Sequence, residues 1–183
     1  MRDEKIYHEY ANWKIEHHEL FKYLAESDSG LFIRFKHVLE ITDFLYDKLI
    51  DDLNYSDDEH SIFESGFYYI FDQVDVIDDL LQKSYKQNME ELELHAKDVT
   101  LLLTVLEFKN ELLGIDNYEQ SDLDKLEVFE QVIMETIEQK RTVSEDKFIE
   151  FDRLTDDIFS KFEDDFYPTY NIFLDIADEL GIL

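Results

Sequence analysis

The chain has only four glycines and one proline: Gly30, Gly66, Gly114, Gly181 and Pro168. A β-rich or loop-rich fold of 183 residues needs many more, because its tight turns require residues that tolerate positive φ or hold φ near −65°. Long helices with short connections do not. The apolar pattern points the same way. Ile6, Tyr10, Trp13, His17, Leu20 and Leu24 recur at 4-3-4-3-4 spacing, which places them along one face of a helix.

Reading the chain for starts and stops predicts six or seven helices. The first spans about Asp3–Glu26 and ends at the Ser27–Gly30 break. The second spans about Leu31–Leu53. Ser56 with Glu59 forms a capping-box pattern that opens the third, which continues to about Gln87. Asn88 with Glu91 offers a cap for a fourth, ending at Gly114; without a break there, the third and fourth would be one long helix. Ser121 is the expected cap of a fifth helix, to about Arg141. A sixth runs from Glu145 to about Phe166, and Pro168 separates it from a last helix near Thr169–Leu180. The expectation is an all-α fold: a single helical bundle over residues 1–183, mostly antiparallel with short connections.

Hydrophobic residues make up 44% of the chain and aromatics 15%, enough apolar surface to favour a folded core over disorder. The absence of Cys excludes disulfides and thiolate metal sites and is compatible with a cytoplasmic location. The N-terminal stretch lacks the apolar core of a signal peptide, and no apolar run reaches membrane-spanning length.

Charge bounds the partners. There are 46 Asp and Glu against 17 Lys and Arg, a net −29, spread through every third of the sequence rather than held in a tail. Such a chain is repelled by nucleic acid and by anionic bilayers, so neither direct nucleic-acid binding nor membrane binding is expected. A basic protein is the natural partner, with long-range attraction speeding association.

The stretch FYYIFDQVDVIDDLL, residues 67–81, concentrates the problem. At 100° per residue, Phe67, Ile70, Phe71, Val74, Ile77 and Leu81 take one side, with Tyr69, Val76 and Leu80 widening it. Asp78 falls inside that arc. Tyr68, Asp72, Asp75 and Asp79 share the remaining stripe. A solvated face explains the stripe simply. A binding ridge explains it as well, with Tyr68 as an aromatic anchor beside three carboxylates. Glu163, Asp164 and Asp165 form a second candidate, because their expected place at a helix C-terminus is where the helix dipole disfavours negative charge.

Catalytic patterns are scarce. Di-iron helical bundles use Glu-x-x-His pairs, and no His here has Glu three residues before it. His60 and Glu64 supply half of a hemerythrin-like pattern, but no His-x-x-x-His completes it. His17, in the first seam, reads as a core or interface histidine. Four scattered glycines cannot form a phosphate-binding loop, and a Cys nucleophile is impossible. Neither catalytic residues, a metal site nor a cofactor is expected.

Three functions remain. The first is a non-enzymatic acidic protein that inhibits or sequesters a basic protein, such as a nuclease or another nucleic-acid-handling protein. In composition alone, the chain resembles nuclease-neutralising immunity proteins and phage-encoded inhibitors of host defence. Nucleic-acid mimicry would be the strongest version. By surface scaling, however, the chain carries one net charge per roughly 300 Å², against about 100 Å² for duplex DNA, so only a concentrated face would suffice. The second is a self-assembling scaffold or homodimer, with the heptad-like first helix pairing with its copy. The third is a metal-carboxylate enzyme.

Overall fold

The computed structural model describes residues 5–26, 33–51, 54–162 and 169–182. These residues form nine helices and no strand: α1 Lys5–Glu16, α2 His18–Glu26, α3 Ile33–Asp51, α4 Asp57–Lys83, α5 Met89–Glu93, α6 Ala96–Leu113, α7 Gln120–Glu138, α8 Glu145–Lys161 and α9 Thr169–Glu179. The all-α expectation holds. The chain divides into two compact units, Met1–Val74 with Phe173–Leu183, and Asp75–Ile172.

Aromatic packing organises the first unit. Tyr7 meets Phe63, Tyr10 meets Phe63 and Phe67, and Trp13 meets Phe67 and Phe71. Both helices advance together, so α1 runs parallel to α4. In contrast, α3 runs antiparallel to α4, with Tyr46 against Phe63 and Lys48 bonded to Glu59. Tyr10 donates its hydroxyl to Asp43, which also accepts from Lys14 at 2.5 Å. Burial and the neighbouring Asp43 carboxylate push the Tyr10 pKa far up, so it stays a neutral donor. Gly66 allows the closest approach: a Cβ there would lie 2.5 Å from Thr42 Oγ1 and 3.0 Å from the Phe173 ring. The heptad-like seam of the first helix is consumed here, because Ile6, Tyr10, Trp13, Leu20 and Leu24 are all buried. It is therefore not a face presented to a second copy.

The second unit packs α7 against α6, through Lys109–Glu130 at 2.5 Å, and antiparallel to α8, through Phe129–Phe151 and Lys161–Asp122. Leu102, Val105, Leu126, Ile133, Ile137 and Ile158 fill its core. Tyr85 reaches across to donate to the Ile137 carbonyl at 3.1 Å, and burial pushes its pKa up to about 12.

Local signals were right at some helix ends and wrong at others. The capping box at Ser56 and Glu59 forms in both directions, at 2.9 and 3.2 Å. Asn88 accepts from Glu91 N–H at 3.2 Å and, with Lys86 and Gln87 at positive φ, separates α4 from α5. The expected first helix is two, divided by a turn at His17, and the expected fourth is split between α5 and α6. Glu119, rather than Ser121, occupies the N-cap of α7. The expected break at Ser27–Gly30 and the kink near Pro168 lie outside the described residues. No helix among the described residues is long and apolar enough to cross a membrane.

Candidate functional site

Helix α4 is 27 residues long, so different parts of it face different neighbours. Its buried side is as the wheel predicts: Phe67, Ile70, Val74, Ile77, Leu80 and Leu81 are all buried. Phe71 is the departure. It stays 40% exposed although Trp13 and Phe67 both pack against it, with ring centroids 5.8 and 6.0 Å away. Three residues before it, Tyr68 is 49% exposed and stacks on buried Phe67, with centroids 5.4 Å apart. Residues three apart are neighbours on a helix surface, so Tyr68 and Phe71 offer adjacent outward aromatic surface braced from below by Trp13 and Phe67. Asp72 is exposed alongside them.

These three belong to the first unit. Further along the same helix, in the second unit, Asp75 is exposed and Asp79 is half-buried. Asp79 is not a bare carboxylate: Lys83, two residues beyond the 67–81 stretch, pairs with it at 2.7 Å. That hydrogen bond holds the lysine pKa above its usual value. Asp78 is half-buried. The second candidate cluster, Glu163, Asp164 and Asp165, lies outside the described residues.

Two acids that no sequence pattern singles out are almost fully buried. Asp122, 1% exposed at the start of α7, accepts from Lys161 at 2.7 Å and from Lys125 at 3.2 Å. Burial alone would raise its pKa, but the two lysine bonds outweigh burial and hold it below the usual carboxylate value. Lys125 was visible at i+3. Lys161, on α8, was not. Asp98, 2% exposed, accepts the Val143 N–H at 3.3 Å and lies 3.8 Å from His95 Nδ1. Burial raises its pKa, and these contacts only partly oppose that. His95 Nδ1 is itself buried, with no hydrogen-bond partner among the described residues.

Two of the six histidines serve packing. His60 shares a 2.5 Å hydrogen bond with the Tyr7 hydroxyl and stacks on Tyr55, while His17 packs between Trp13 and Phe21. Among the described residues, no group of three or more His, Asp or Glu side chains is placed to hold a metal ion.

The chain is thus an all-α protein of strongly acidic character whose candidate site is an exposed aromatic–carboxylate surface. Comparison with known protein families, curated proteins and solved structures finds no match to it.

Proposed function

We propose that this is a non-enzymatic acidic protein that binds a basic protein and thereby inhibits or sequesters it, with a nuclease or other nucleic-acid-handling protein as the target class. The observation carrying this reading is the exposed Tyr68–Phe71 pair beside Asp72 on a chain of net charge −29. A solvated ridge has no use for two braced aromatic rings in water. A docking surface does, because aromatics held rigid by their own core lose little freedom on binding. Carboxylates beside them give charge-assisted bonds to Arg or Lys. The overall charge supplies steering toward a positive target. Its average density favours binding to a basic protein surface over imitation of a whole duplex.

The test is an affinity capture at low salt, eluted with a salt gradient, run in parallel with wild type and with the Asp72→Lys/Asp75→Lys double variant. Both residues are exposed, so the variant should fold with an unchanged helical circular dichroism spectrum. Wild type should retain one basic protein in near-equal amount, released as salt rises, and the variant should lose it. A smear of unrelated basic proteins, or the same retention by both proteins, would leave the charge serving solubility and reject the site.

A further inference from the structure

Helix α7 carries a second exposed stripe, of a different kind. Ser121, Lys125, Val128, Val132, Glu135 and Gln139 recur at 4-3-4-3-4 spacing along α7 and its C-cap, which sets them along one face of the helix with two valines at its centre. All six are exposed, including Val128 at 64% and Val132 at 38%. The two valines at the centre of this face are turned to solvent, while Lys125 and Glu135 bond only to residues of their own helix. Beside it lies an open depression of about 420 Å³, whose apolar lining is Val128, Phe129, Val132 and Leu154. As many lysines as carboxylates line it, with Lys125 and Lys147 set against Asp124 and Glu150. On a chain with 46 acids and 17 bases, such a balanced apolar patch is a place where a like-charged molecule can approach.

The order of residues identifies the occupant. In an antiparallel pair related by a two-fold axis level with Glu130, residues equally far from the midpoint face each other. Val128 then meets Val132 of the copy, Lys125 meets Glu135, and Ser121 meets Gln139, each contact occurring twice. The stripe is self-complementary in residue order and in charge. We propose that a second copy of this chain docks here, forming an antiparallel α7–α7 dimer. The existing bonds do not prevent it. Lys125 reaches Asp122 at 3.2 Å, but Asp122 keeps its shorter bond to Lys161, and Glu135 accepts from Gln131 on its own helix with carboxylate capacity to spare.

This dimer is independent of the basic-partner reading and has the opposite salt dependence. Two chains of −29 repel, so added salt should tighten the dimer while loosening a basic partner. Sedimentation equilibrium of the full chain, from micromolar to several hundred micromolar at low and high salt, should show a monomer–dimer equilibrium that shifts toward dimer with salt. Val128→Asp should weaken it at least about tenfold. Lys125→Glu and Glu135→Lys should each be monomeric alone, since each sets like charges opposite one another, and should dimerise when mixed one to one. The Lys125→Glu/Glu135→Lys double variant should dimerise by itself. A wild-type protein that stays monomeric throughout, a dimer indifferent to Val128→Asp, or single variants that do not recover on mixing would each overturn the proposal.

Discussion

Gly66 sets how closely α4 can lie against α3 and Phe173, and replacing it by alanine tests that packing. The added Cβ would sit 2.5 Å from Thr42 Oγ1 and 3.0 Å from the Phe173 ring. Thr42 cannot turn aside cheaply. It is fully buried, and its hydroxyl donates to the Val38 carbonyl at 2.7 Å. Rotating it would strand a buried hydroxyl, at about 1–3 kcal/mol. Leaving it in place would force overpacking of similar cost, about 1–3 kcal/mol. Alanine recovers about 1 kcal/mol of helix propensity over glycine. The net expected loss for Gly66→Ala is therefore about 0–2 kcal/mol. Trp13, the chain's one tryptophan, is buried in the same unit, so its fluorescence during urea unfolding reports this loss directly. In a Thr42→Ala background the obstructing oxygen is gone, and Gly66→Ala should cost at least about 1 kcal/mol less. Equal costs in the two backgrounds, or a stabilised Gly66→Ala in the wild-type background, would refute the close-approach argument.

Two further predictions concern the buried acids. Asp122 has a folded pKa below its unfolded value of about 3.9. Its contribution is present above that value and is lost as pH falls through the folded one. Asp122→Asn should cost about 1–2 kcal/mol at neutral pH, because Lys161 is partly exposed and its pairing is screened, and should flatten the acid limb of urea midpoints measured from pH 5 to pH 2. Asp98 has the opposite sign, since its folded pKa is raised. It weakens the fold as pH rises from about 3.9 through the folded value. Asp98→Asn keeps an acceptor for Val143 N–H and should leave stability at pH 7 unchanged or raise it by up to about 1 kcal/mol, read from the same urea midpoints.

The sequence by itself determined the all-α class and most of the chain that becomes helix. The signals involved act within a turn or two: the capping box at Ser56 and Glu59, the Asn88 cap, and the helical stop before Gly181, whose φ of +66° suits glycine. The buried side of α4 was legible for the same reason, because a wheel needs only the 3.6-residue period. What lies opposite each face was not legible. Sequence could not show that Trp13 packs against Phe71 yet leaves it 40% exposed. Nor could it show that Lys161 arrives beside Asp122 from 39 residues away. Two stripes in the sequence, one mostly apolar on the first helix and one mostly polar on α7, share the same 4-3 spacing. Only the tertiary structure decided between them, because exposure depends on which neighbour arrives, and local periodicity holds no record of that. It buried the first stripe in its own unit and left the α7 stripe in solvent.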